Sequence, residues 1–137
     1  MTARAFDAVA HGEARVAVLA KDDFDELSVL YPEIYQALVT KLCRVIVSLF
    51  SHIEDAALLS LRQRLVRLII SAAKAYGSEQ PDGVEIDMPL SQADMGKMLG
   101  MTRQSIQREL KYLRNEGLLD KRKGRWVVFN LGAMRAI

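Results

Sequence analysis

Apolar residues recur along this chain with two periods, and the period changes mark its elements. Residues 3–20 carry a weak period of two: Phe6, Ala8 and Ala10, a His11-Gly12 turn, then Ala14, Val16 and Val18, which predicts a β-hairpin. Asp22–Leu30 opens with acids suited to the positive end of a helix dipole, and Tyr31-Pro32 breaks it. From about Glu33 to Asp55 the residues Leu38, Leu42, Val45, Leu49 and Ile53 follow one another at steps of four and three, close to a coiled-coil seam, with Ile34, Ile46, Val47 and Phe50 as a second apolar flank. Such a helix cannot stand alone in water. It is either buried in its own monomer or the seam of a dimer, and the rest of the chain is too small to cover both flanks. A further helix is predicted over Ala56–Tyr76, with Leu61, Leu65, Leu68, Ile69 and Ala72 inward and Arg62, Arg64 and Arg67 as solvated flanking charges. Val84, Ile86 and Met88 alternate with Glu85 and Asp87 as a short strand.

The last third is the most informative. Ser91-Gln92-Ala93-Asp94 is a capping pattern that opens a short helix ending at Leu99. Gly100-Met101 makes a tight turn, and Thr102 supplies a cap for a second helix ending before Gly117. At about 100° per residue, Ile106, Leu110 and Leu113 share one stripe of that helix. Arg103, Gln104, Gln107, Arg108 and Lys111 lie opposite. That face holds no acid, only long donors of the kind that read base edges and neutralise phosphates. In isolation it would be a solvated helix surface. Two short helices joined by a glycine turn, however, form a helix-turn-helix, whose second helix is the one that enters a major groove. Leu118-Leu119, the basic turn Lys121-Arg122-Lys123-Gly124-Arg125 and Trp126–Phe129 then predict a β-hairpin: a wing whose tip can meet phosphates, or else merely a soluble turn.

Charge sharpens this picture. The overall net charge is only +2. Residues 1–89 hold 9 Lys/Arg against 13 Asp/Glu, whereas residues 90–130 hold 9 against 4. A basic segment on an acidic body calls for a polyanion partner for that segment. With 137 residues, half of them apolar, the chain can build a real core. Its apolar runs read as short and interrupted, so no membrane span is expected. Cys43 is the single cysteine, which excludes an internal disulfide and fits a reducing compartment. Cys43 and His52 read as packing or edge residues, and no metal or other cofactor is expected.

The segment LSQADMGKMLGMTRQSIQRELKYLRNEGLL, with KRKGRWVVF after it, resembles the winged-helix domain of Crp/Fnr-type (cAMP receptor protein-like) transcription regulators. Upstream, RVAVLAKDDFDELSVLYPEI looks like the last β-roll strand and short helix of that family, and the long helix like its dimerisation helix. The resemblance implies a mainly α fold with small β-hairpins (α+β). Its parts would be a remnant of the sensor β-roll over 1–31, a dimerisation helix over 32–56 and a winged helix-turn-helix domain over 57–137. It also implies a cytoplasmic homodimer on double-stranded DNA with a two-fold operator, acting on RNA polymerase, and not an enzyme. Carried over by position, Arg103, Gln104 and Arg108 would touch bases and phosphates, joined by Thr102, Gln107, Lys111 and the wing residues Lys121, Arg122, Lys123 and Arg125. Leu38, Leu42, Val45, Leu49 and Ile53 would form the dimer interface. Gln104 stands where many members have Glu, which moves the expected base preference from cytosine towards adenine.

The sensor departs from the family pattern. The cassette that holds a cyclic nucleotide would lie ahead of Met1. Arg4 aligns with its arginine, but without its companions, and is at most an effector-binding remnant. Where cAMP-binding members offer two hydroxyls from the dimer helix, this chain has Leu49 and Phe50, so cAMP is not the expected ligand. One cysteine is too few for a four-cysteine iron–sulfur sensor. The chain reads either as part of a longer regulator or as a form without the sensor. With its sheet partners absent, the hairpin over 3–20 is expected to rearrange or to exchange onto a second copy. The alternative function is a winged-helix protein-interaction and dimerisation module without DNA binding.

Overall fold

The structure is a computed structural model of the 137-residue chain and describes residues 9–10 and 13–137. The chain divides into two compact units, Met1–Val47 and Ser48–Ile137. Arg4 and most of the expected first strand lie outside the described residues.

In the first unit, residues 14–20 form no strand and are exposed. A strand needs ladder hydrogen bonds, and Val16 and Val18 find no ladder partner among the described residues. Helix α1 spans Lys21–Leu30, with Asp22 and Asp23 in its first turn and an ion pair from Lys21 to Asp25 one turn on. Its end is closed by the Tyr31 N–H on the Leu27 carbonyl, and Phe24 meets Tyr35 edge-on at 5.8 Å between centroids.

Helix α2 spans Glu33–Leu58 and crosses into the second unit. None of its residues is buried against the described residues, which favours a partner outside them over burial in its own monomer. Among the described residues it is also the one helix long and apolar enough to cross a membrane, with a mean hydropathy of 1.4 in its most apolar window. The sequence pattern predicts this helix but no segment of such length and hydropathy, and α2 corrects the second point by length and composition alone.

The break expected between the two long helices at Asp55 and Ala56 lies a few residues later. The helix expected from Ala56 begins instead at Leu61: α3 spans Leu61–Tyr76. Ser60 accepts from the Gln63 N–H, while the Gln63 side chain accepts from the Ser60 N–H, a reciprocal cap that restarts the chain after α2. The loop after α3 is partly strand. β1 (Gly77–Gln80) pairs antiparallel with β2 (Gly83–Ile86). Helices α4 (Gln92–Leu99) and α5 (Arg103–Asn115) follow, then β3 (Leu119–Arg122), β4 (Arg125–Val128) and a final turn of helix, α6 (Leu131–Arg135), capped by Asn130.

The two hairpins are one sheet. The order is β1-β2-β4-β3, with Glu85 opposite Val127 and Ile86 opposite Trp126. One core joins the helices to this sheet: Leu65 and Ile69 of α3, Met95 of α4, Ile106, Leu110 and Leu113 of α5, Ile86, Leu119 and Val128 of the sheet, and Met134 of α6. Trp126 is buried and donates its indole N–H to the Leu90 carbonyl at 2.8 Å, so it is a core residue of the wing.

Candidate nucleic-acid interface

The angle between α4 and α5 is fixed by two glycines. Gly100 takes the left-handed conformation (φ 64°) that closes α4, its N–H reaching back to the Gly96 and Lys97 carbonyls. Gly96 lets the turn pass: a Cβ there would sit 2.7 Å from the Met101 carbonyl oxygen. Ser91 and Asp94 form the expected reciprocal cap on α4. The Thr102 hydroxyl accepts from the Ser105 N–H at 3.1 Å and opens α5. Gly117 (φ 66°) ends it, the Leu118 N–H returning to the Leu113 carbonyl.

On α5, Ile106, Leu110 and Leu113 are buried, while Arg103, Gln104, Gln107, Arg108 and Lys111 are exposed together. The five donors therefore share one free surface with Thr102 at its N-terminal end. The wing divides differently. Its turn is only Lys123-Gly124, both at positive φ (47° and 88°). Such a pair matches the twist of a two-residue hairpin. Lys121 and Arg122 belong to β3, and Arg125 to β4. Arg122 pairs with Asp82 at 2.6 Å, and Arg125 reaches Glu85 at 3.3 Å and Asp87. Half of the expected phosphate-binding tip thus clamps the wing to the β1–β2 hairpin. Lys121 and Lys123 form no ion pair among the described residues and are exposed, the Lys121 ammonium lying 5.5 Å from the centre of the Trp126 ring.

Several side-chain pairings around α5 escaped the sequence reading. The flanking arginines of α3 are not merely solvated. Arg67 pairs with Asp55, Arg64 donates to the Leu99 carbonyl at 3.5 Å, and Arg62 donates from Nε to Glu109 of α5 at 2.8 Å. The Arg62 guanidinium also lies 3.5 Å from the centre of the Tyr112 ring. Its hydrogen bond to Glu109 raises its already high pKa. At the other end of α5, Arg114 holds Asp120 at the root of the wing at 2.7 Å. The Lys121 backbone N–H and then Arg114 keep the Asp120 carboxyl below its usual value of 3.8. A cleft of about 530 Å³ opens there, between α5 and the wing, lined by Gln107, Lys111, Arg114, Asp120 and Phe129 among others. The sequence does not say which helices pack together or which hairpins adjoin, and these pairings depend on both.

Among the described residues no group of acids, histidines and cysteine is placed to hold a metal. The α2 residues Leu38, Leu42, Val45, Leu49 and Ile53 are all 41–65% exposed. They form one continuous stripe with Tyr35, Ile46 and Phe50, covering roughly 140° of the helix at 100° per residue. Thr40, Lys41, Arg44, Ser48 and Ser51 occupy the other side.

A capped two-helix unit, an outward basic helix and a β-wing in one sheet define a winged helix-turn-helix protein. The Crp-like helix-turn-helix domain family matches residues 63–137, and the chain belongs to that family. It is 31% identical over 99 residues to a global nitrogen regulator of Synechococcus elongatus, covering 72% of this chain and 45% of that one. A mutant of CooA from Carboxydothermus hydrogenoformans superimposes with a TM-score of 0.75 at 22% identity, over 84% of this chain and 53% of that one. A CRP/FNR-family transcriptional regulator from Thermus thermophilus gives 0.70 at 17% identity, over 77% and 54%. These two likenesses show the shared fold. The chain spans about half the length of these relatives.

Proposed function

We propose that this chain is the dimerising and DNA-reading part of a Crp/Fnr-type transcription regulator, binding a two-fold operator as a homodimer. The observation that carries the reading is the acid-free exposed face of α5, with Thr102 capping its N-terminal end and the wing fixed beside it. Arg103, Gln104 and Arg108 reach base edges and phosphates, Gln107 and Lys111 extend the contact along the groove, and Lys121 and Lys123 meet the flanking backbone. Arg122 and Arg125 hold the wing. Gln104 pairs with adenine through its amide.

The partner of α2 is a second copy of the chain, through Leu38, Leu42, Val45, Leu49 and Ile53. A two-fold pair presents α5 twice, as a palindromic operator requires. The helix fits this better than a bilayer: Lys41 and Arg44 stand in its middle, where charge in lipid costs about 2.5–3.5 kcal/mol each. It is a cytoplasmic protein without enzymatic activity, and its bound dimer acts on RNA polymerase.

The test is binding to a duplex selected from a random library, with Arg103→Ala and Arg108→Ala. Each lost base contact costs about 1–3 kcal/mol. Unchanged specific binding in both variants refutes the assignment. The wide apolar face of α2 also favours a second reading, a protein-interaction module. That reading requires any affinity for DNA to lack the steep fall with salt that phosphate contacts produce.

A further inference from the structure

Glu109 is the one acid on α5 before its C-terminal end, and its side chain is only 12% exposed. A carboxylate on a helix that approaches phosphates repels them, so its charge must be compensated. Two arginines address it, one on each oxygen. Arg62, from α3, donates to Oε2 at 2.8 Å; Arg108, from α5 itself, stands 3.7 Å from Oε1 and is 76% exposed. The closer partner is the one that does not face outward with the donor surface. It is further fixed by stacking on Tyr112.

We propose that Arg62 is a positioning residue for DNA recognition: by neutralising Glu109 it leaves the Arg108 guanidinium available to DNA. The inference rests on the reading of α5 as the DNA-reading helix. Without Arg62, a nearly buried carboxylate has Arg108 as the one other cation paired with it among the described residues. It then draws Arg108 inward and competes with the duplex for it. Arg62 therefore acts through two other side chains, from a helix other than the proposed DNA-reading one.

A charge-neutralising role differs from a packing role in one measurable way: removing the acid cures the loss of the arginine. The experiment measures affinity for the duplex selected by the unaltered chain, with thermal unfolding followed in parallel. Arg62→Gln keeps much of the side-chain bulk and lowers specific affinity about tenfold, the loss of one base contact. Arg62→Lys keeps the charge and binds within about threefold of the unaltered chain. Glu109→Gln binds as well or better. The double variant Arg62→Gln/Glu109→Gln recovers to within about threefold, even where its melting temperature stays low. A double variant as weak as Arg62→Gln, or an Arg62→Gln of unchanged affinity, overturns the proposal. If Arg103→Ala abolishes binding while every Arg62 variant is neutral, only the positioning role falls. If the unaltered chain selects no duplex, the functional reading falls and takes this role with it.

Discussion

Gly96→Ala sets two opposite effects against each other, and the structure decides the sign. In an exposed helix interior the change stabilises, by up to about 1 kcal/mol, because alanine loses less backbone freedom on folding. At Gly96 the new methyl would lie 2.7 Å from the Met101 carbonyl oxygen and 3.7 Å from the Arg103 nitrogen, both backbone atoms of the turn between α4 and α5. The turn cannot rotate away as a side chain could; it has to move by several tenths of an ångström, against a cap at Thr102 and a buried Met95. Overpacking of this kind costs about 1–3 kcal/mol, so the net change is a loss of about 0–2 kcal/mol. For a unit of 90 residues, each kcal/mol lowers the melting temperature by about 4–8 °C. Gly132→Ala in α6 is the control, since its methyl would meet only the Asn130 side-chain oxygen at 3.3 Å. Urea unfolding followed by circular dichroism should place Gly96→Ala below Gly132→Ala in midpoint with unchanged slope. Equal midpoints refute the claim that close approach of the turn, and not helix propensity, governs this position.

Three further outcomes follow from the same structure. Trp126→Phe removes the donor to the Leu90 carbonyl and leaves that oxygen without its partner in the core, which destabilises by about 1–3 kcal/mol in the same unfolding assay. Leu42→Glu with Leu49→Glu places carboxylates in the uncovered α2 stripe, and analytical ultracentrifugation should register a monomer where the unaltered chain sediments as a dimer. Asp120 has a lowered pKa when folded, so its contribution is complete above its unfolded value near 3.8 and is lost as the pH falls through the lower folded value. Acid unfolding of Asp120→Asn should accordingly show a shallower pH dependence below about pH 4 than the unaltered chain.

Much of this molecule was legible from local rules. The Ser91 and Thr102 caps, the Gly100 and Gly117 stops and the three-residue stripe Ile106, Leu110 and Leu113 each depend on neighbours a few positions away, so spacing alone placed α4 and α5 within a residue. The same rules would have placed the break at Ser60, since Ser60-x-x-Gln63 is a capping pattern; the unbroken apolar spacing from Leu58 to Leu61 hid its position. The length of α2 and the two-sided division of its residues were written in the sequence as well. What local rules could not supply is which segments become neighbours. That β2 lies beside β4 is a contact across some forty residues, and it brings Arg122 and Arg125 against Asp82, Glu85 and Asp87. The pairing of Arg62 with Glu109 spans 47 positions and exists only because the core packs α3 against α5. Charge and periodicity are properties of a residue and its near neighbours and survive in the bare sequence. Whether a charge is spent on a partner or left for DNA depends on long-range packing, and only the folded chain decides it.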